Sequence, residues 1–193
     1  LCEGDSAKNS IMSARGKNPY IGVFPLRGKL LNVRNAQTKK ILDNEEIVNM
    51  LAITGLQLGK PVDIDSLYFG KIAIATDADM DGIHISGLIL NFFGHLWKEV
   101  LDAGIIYKLV TPIIIAKQGK NEIEFFNQDD YVTWAKENKN HTAKYYKGLG
   151  GFNNFSKFLN DEKYLHKMTI SDIMDYENLD MVFNNNRADN RKE

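Results

Sequence analysis

The sequence predicts an α/β protein: an open, mostly parallel sheet flanked by helices, with a small hairpin and a C-terminal helical appendage. Three observations carry that reading. Short apolar runs such as Ile72-Ala73-Ile74-Ala75 alternate along the chain with amphipathic segments, the order expected of parallel strands and crossover helices. Between His84 and Leu101, the residues Ile85, Leu88, Ile89, Phe92, Phe93, Leu96 and Val100 recur at helical spacing. And 44% hydrophobic residues in a chain of 193 suffice to bury a core.

The elements follow in order. Residues 1–4 read as the end of a buried strand and its turn. Ser6 to Arg15 reads as a helix capped by Asp5 or Ser6. Gly16 to Pro25 is turn-rich, and Val23-Phe24-Pro25-Leu26 is short and extended because Pro25 biases Phe24 away from helix. Gly28 to Asn32 reads as a loop or edge segment. Short helices are expected over Asn35–Leu42 and Asn44–Thr54, the latter ending near Gly55. Lys71–Ala75 is a strand, His84–Leu101 one long helix ended by Gly104, and Tyr107–Lys117 one long strand. Gln118-Gly119-Lys120-Asn121 turns that strand into Glu122–Phe126, giving a hairpin. Asp129–Glu137 is helical, and Ala143–Tyr146 is a strand running into a glycine loop. A further helix is expected from about Asn154, and a last one over Ser171–Phe183, capped by Ser171 or Asp172. Residues 184–193 are polar and read as a linker.

Bulk properties narrow the class. One cysteine, Cys2, allows no internal disulfide and no cysteine-based zinc site, and a reducing intracellular compartment fits best. No stretch approaches the roughly 18 consecutive apolar residues of a membrane span. Leu1 and Cys2 look like the end of a strand, so the chain reads as cut from a longer polypeptide. The net charge of -1 hides segregation. From Ser6 to Leu42 there are eight bases (Lys8, Arg15, Lys17, Arg27, Lys29, Arg34, Lys39 and Lys40) and no acid. From Asp43 to Ile106 there are ten acids and three bases. A basic segment beside an acidic one reads as a phosphate-binding surface next to a metal site.

The acidic string Thr76-Asp77-Ala78-Asp79-Met80-Asp81-Gly82 follows the strand at 71–75. Alternate carboxylates at the C-terminal end of a strand face the crevice where open sheets bind ligands. Crowded acids repel unless a cation sits among them, and an all-oxygen pocket suits Mg²⁺. A solvated acidic turn is the bland alternative. An EF-hand fits poorly, because a strand precedes the loop and the twelfth position from Asp77 is Leu88 rather than Glu. Glu3, in Glu3-Gly4-Asp5-Ser6-Ala7, could add a carboxylate from a second strand, or be an exposed strand end. Arg27 and Lys29 flank Gly28 and suit phosphate contact, with Asn32 able to reach a sugar or base edge; a basic surface loop is equally compatible. Tyr145-Tyr146-Lys147-Gly148-Leu149-Gly150 could cradle a phosphate but lacks the Walker A lysine-hydroxyl pair, and a tight turn explains it as well. His84 adjoins the acidic loop and could contact substrate, whereas His95 reads as structural. No HExxH or GxSxG pattern occurs, which disfavours zinc and serine hydrolases.

Together, the segments Glu3–Lys8, Gly22–Arg34, Thr76–Gly82 and Tyr145–Gly150 resemble, in order and spacing, the TOPRIM region of type IIA DNA topoisomerases. The acidic motifs alone are shared with TOPRIM nucleases and primases. Pro25-Leu26-Arg27-Gly28-Lys29 and Tyr146-Lys147-Gly148-Leu149-Gly150 make the resemblance specific to topoisomerases. Gly22-Val23-Phe24-Pro25 and the doubled tyrosine are similar to the eukaryotic or viral branch, whereas Ala78 has the bacterial style. Ile83, Gly151 and Phe152 depart from the pattern, as does the segment 13–20.

The resemblance implies a Rossmann-like TOPRIM domain over residues 1–160. Residues 161–193 would form a helical extension and linker toward a winged-helix domain bearing the reactive tyrosine. It implies that Glu3, Asp77 and Asp79 are the catalytic residues and bind Mg²⁺, two ions in all, with Asp81 supporting. It also implies that Arg27, Lys29, Asn32 and Lys147 bind DNA. In the family a tyrosine following an arginine attacks the DNA backbone, giving a transient 5′-phosphotyrosyl double-strand break. None of the eight tyrosines here follows arginine. The implied partners are therefore double-stranded DNA, the tyrosine-bearing domain and an ATP-binding ATPase domain, in the same or a partner subunit of a dimeric parent. The implied setting is cytoplasm or nucleus, including that of an infected cell. A TOPRIM nuclease or primase and a non-enzymatic DNA-binding module remain the alternatives.

Overall fold

The computed structural model describes residues 1–152 and 154–191. In chain order its elements are β1 (Cys2–Glu3), α1 (Gly4–Arg15), β2 (Pro25–Leu26), α2 (Thr38–Leu42), α3 (Glu45–Thr54), β3 (Ile72–Ile74), α4 (Met80–Leu96) and α5 (Lys98–Asp102). They continue with β4 (Ile106–Leu109), β5 (Ile114–Gln118), β6 (Asn121–Phe125), α6 (Gln128–Glu137), β7 (Thr142–Tyr145), α7 (Ser156–Asn160), β8 (Leu165–Lys167) and α8 (Ile173–Phe183).

Two sheets result. β1 pairs parallel with β2, and β3 pairs parallel with β4. A parallel bridge from Cys2 to Ala75 joins the two pairs: Glu3 N–H donates to the Ala75 carbonyl at 3.1 Å, and Ala75 N–H to that of Leu1 at 2.8 Å. The main sheet therefore runs β2-β1-β3-β4-β8, with only β8 antiparallel. Strand alternation sorts its side chains. Ile72, Ile74 and Ile106 join a large core with α3, α4 and α5, whereas Cys2, Ala75 and Leu109 join a second core with Ala7 and Ile11 of α1 and Phe158 of α7. Helices thus cover both faces, as the sequence predicts. The second sheet, β6-β5-β7, is antiparallel. It has its own small apolar cluster, in which Tyr131 and Trp134 of α6 pack on Phe125 with ring centroids 5.4 Å apart.

Several predicted elements differ in extent, among them the helix expected over Asn35–Leu42, which is the five-residue α2. The helix expected over 84–101 begins four residues earlier, because Asp79 caps it by accepting from Gly82 N–H at 2.8 Å. It breaks at Trp97, whose backbone (φ -145°, ψ 80°) turns out of the helix and whose indole sinks into the core edge-on to Phe92. The strand expected over 107–117 is two strands. Val110 N–H donates to Tyr164 in one direction and Ile113 N–H to Phe125 in the other, and Pro112 between them has no N–H to extend either ladder. α1 begins at Gly4, before both residues expected to cap it. The helix expected from about Asn154 is the five-residue α7.

β8 was not foreseen in the sequence, nor was the order within residues 184–191. Arg187 pairs with Asp180 at 3.1 Å, and Arg191 donates to the carbonyls of Met181, Val182 and Asn184. The last two residues of the expected linker, Lys192 and Glu193, lie outside the described residues.

Candidate metal and nucleic-acid site

Four segments far apart in sequence meet at the C-terminal end of β3. Glu3 leaves β1, which the bridge to Ala75 holds beside β3. Its Oε2 accepts from Asp77 N–H at 3.3 Å, across 74 residues. Asp77 stands on the turn between β3 and α4, and its Oδ1 accepts from Leu149 N–H at 2.9 Å. Asp79 is spent in part on capping α4. The second carboxylate oxygens of Asp77 and Asp79 have no protein hydrogen bond among the described residues. Asp81, exposed in the first turn of α4, pairs with Lys29 at 2.9 Å, and that pair holds its carboxyl below the usual range.

Two glycines permit this approach. A Cβ on Gly82 would fall on the Asp77 carbonyl, and a Cβ on Gly148 would fall on the Asp77 carboxylate. The glycine loop after β7 is therefore a buttress for Asp77.

Electrostatics mark the place. Burial pushes the Glu3 carboxyl above its ordinary value, and the charges of Asp77, Asp79 and Asp81 push the same way, against the hydrogen bond from Asp77 N–H. Crowded acids of this kind gain from a cation. Among the described residues, however, no three His, Cys, Asp or Glu side chains converge closely enough to hold one as they stand. Glu3 and Asp77 are directly linked, whereas Asp79 is turned toward its helix and Asp81 toward Lys29. The donor set is all carboxylate oxygen, which fits a hard divalent ion such as Mg²⁺.

The basic residues divide. Arg27, Lys29 and Lys147 are exposed, and only Lys29 has an ion-pair partner among the described residues. Asn32, expected to reach DNA, is turned inward. Its amide donates to the Phe183 carbonyl at 2.7 Å, and its oxygen accepts from Asn91 at 3.1 Å and from Arg34 N–H at 3.2 Å. The same knot includes Arg34, paired with Asp180 at 3.0 Å, so the end of the basic loop is tied to α4 and α8. His84 is exposed and stacks on Phe183, centroids 6.4 Å apart.

One residue was missed. Lys108 on β4 lies in register with Ile74, on the face that carries α4. Its amine donates to Thr76 Oγ1 and, at 2.9 Å, to Ser86 Oγ. Burial lowers its pKa to about 8, against the pull of Glu3 and Asp77. The signal available was a lysine inside an apolar strand, three residues before Thr111-Pro112.

Residues 1–110 match the Toprim domain family, and residues 109–193 match the C-terminal associated domain of TOPRIM. The chain is 47% identical to DNA topoisomerase 2-beta of Gallus gallus over 160 residues, 78% of this chain and 10% of that protein. It is 40% identical to DNA topoisomerase 2 of Bombyx mori over 206 aligned positions, 100% of this chain and 13% of that protein. It therefore spans only about a tenth of the curated relatives it matches. The crystal structure of the Plasmodium falciparum topoisomerase II DNA-binding, cleavage and re-ligation domain superposes with a TM-score of 0.92 at 38% identity. That match covers 100% of this chain and 28% of the other.

Proposed function

This chain belongs to the Toprim domain family, and from that premise we propose that it is the Mg²⁺-binding part of the DNA cleavage-religation centre of an ATP-dependent type II topoisomerase. The observation that supports it best is the meeting of Glu3, Asp77 and the Leu149 N–H at one sheet end, with the exposed Lys29 paired to Asp81 beside them. Glu3, Asp77 and Asp79 would hold the metal, with Asp81 supporting. Mg²⁺ held by these carboxylates would supply charge stabilisation for the leaving oxygen in phosphoryl transfer, and a second ion would help anchor a neighbouring phosphate.

The chain's own residues supply the rest of this role. Leu149 N–H fixes the rotation of the Asp77 carboxylate, and Asp77 N–H fixes that of Glu3. Arg27, Lys29 and Lys147 present cations to the DNA backbone, so that binding is salt-dependent and weakly sequence-selective. Asn32 serves by holding the basic loop against α4 and α8. Lys29 would exchange Asp81 for a phosphate oxygen when DNA arrives. The attacking tyrosine and the ATPase come from other domains or subunits of a dimeric parent.

The test uses the full-length parent with any partner subunit, mixed with supercoiled DNA and Mg²⁺ and rapidly denatured. A metal-dependent protein adduct on DNA 5′ ends, lost in Asp77→Ala, is expected. Free nicks without an adduct would point instead to a nuclease. No cleavage where DNA still binds would point to a binding module.

A further inference from the structure

Lys108 is a half-buried charge that the proposed chemistry leaves unused. It sits on the central strand β4, in register with Ile74, and points to the α4 side beneath the acidic turn. Three groups converge with it. Thr76 Oγ1 donates to the Gly82 carbonyl at 2.9 Å, Ser86 Oγ donates to the same carbonyl at 2.8 Å, and the Lys108 amine donates to both hydroxyls. This knot ties the end of β3 to the first turn of α4, so it spans the turn that carries Asp77, Asp79 and Asp81. Among the described residues no carboxylate lies within ion-pair distance of the amine. A half-buried ammonium held by hydroxyls alone is costly unless nearby negative charge offsets it. Glu3 and Asp77 supply that charge through space.

We propose that Lys108 is a built-in counter-cation of the acidic site, which offsets part of the repulsion among Glu3, Asp77 and their neighbours and thereby weakens their hold on a divalent cation. The proposal rests on the metal reading above. Its physical content is that a fixed positive charge under the carboxylates stabilises the metal-free site and repels an incoming divalent ion. The site then loads Mg²⁺ less tightly than its acids alone would, and a loosely held ion is easily exchanged.

The test is calorimetric titration of the chain with Mg²⁺ alone, at low ionic strength, with folding checked by circular dichroism. Lys108→Met should bind Mg²⁺ at least about tenfold more tightly, the size of effect that one charge exerts on a divalent ion several ångströms away even at the dielectric of water. Lys108→Gln, which keeps a donor for Thr76 and Ser86, should behave like Lys108→Met and guards against misfolding of the apolar variant. Lys108→Arg should stay within about twofold of the parent chain, because it keeps the charge. The gain should shrink as salt is raised.

Asp77→Asn separates the two readings. If it abolishes binding while both neutral Lys108 variants bind no more tightly than the parent chain, the metal site stands and the counter-cation role is overturned. If Asp77→Asn leaves binding intact, the metal reading itself fails.

Discussion

Replacing Gly148 by alanine isolates one contact of the acidic site. Gly148 has extended backbone (φ -159°, ψ 169°), open to any residue, so the substitution carries no conformational penalty of its own. Its effect is steric. A Cβ there would lie 2.8 Å from Cγ and 3.0 Å from Oδ1 of Asp77, and closer still to Oδ2. The carboxylate must turn away. Doing so gives up a charge-assisted hydrogen bond from Leu149 N–H, about 1.5–3 kcal/mol, and forces a less favourable rotamer at about 0.5–1.5 kcal/mol. The expected loss is about 2–4.5 kcal/mol. Urea unfolding of the chain should show it as a lower midpoint at unchanged slope, with weaker Mg²⁺ binding alongside. A double-mutant cycle sharpens the assay. In an Asp77→Ala background the obstructed group is gone, and Gly148→Ala should then cost little. Equal destabilisation in both backgrounds would refute the buttress, and so would an undisturbed wild-type chain.

Two further outcomes follow from other parts of the fold. Phe183→Ala should destabilise the chain by about 3 kcal/mol in thermal or urea unfolding, because the ring is 7% exposed, joins the main core and packs against Gly87 of α4. Glu124 concerns pH. Burial alone would raise its carboxyl, but hydrogen bonds from Lys157 and Tyr164 outweigh that and hold it below the ordinary carboxylate value. A depressed folded-state pKa gives stability that is complete above the unfolded value and fades as pH falls through the folded one. Glu124→Gln should therefore be less stable than the parent chain at neutral pH, and the gap should close in acid. Urea midpoints measured between neutrality and about pH 3 check this, and a gap that persists in acid would contradict it.

What the sequence made legible was whatever rests on local pattern. The period of Ile85, Leu88, Ile89, Phe92 and Phe93 gave α4, and Gly55 marked the end of α3. Gln118–Asn121 marked the hairpin. The acidic turn was placed correctly because a strand end followed by alternate acids is itself a local signature. The misses depend on partners distant in sequence. Nothing near Trp97 announces that its indole has a core to enter, and the helical period runs on past it. Pro112 was a local break inside the run expected as one strand, but the two ladders that it separates are set by Tyr164 and Phe125, distant in sequence. β8 spans only Leu165–Lys167 and is extended because β4 offers an edge. Asn32 stands in a basic loop yet faces Asn91 and Phe183, which are 59 and 151 residues away.

β1 is two residues long and lies between β2 and β3, so its neighbours in the sheet come from Phe24 and Ala75. Closing the loop of some seventy residues from Cys2 to Ala75 carries an entropic cost that the growing structure must meet first. The helices and the β3–β4 pair, built from nearer contacts, have a head start. By contact order Glu3 is expected beside Asp77 only after the local elements have formed, an order that φ-value analysis would test. The negative charges are brought into full proximity only when the surrounding scaffold is rigid enough to hold them, and a partly folded chain is spared their mutual repulsion.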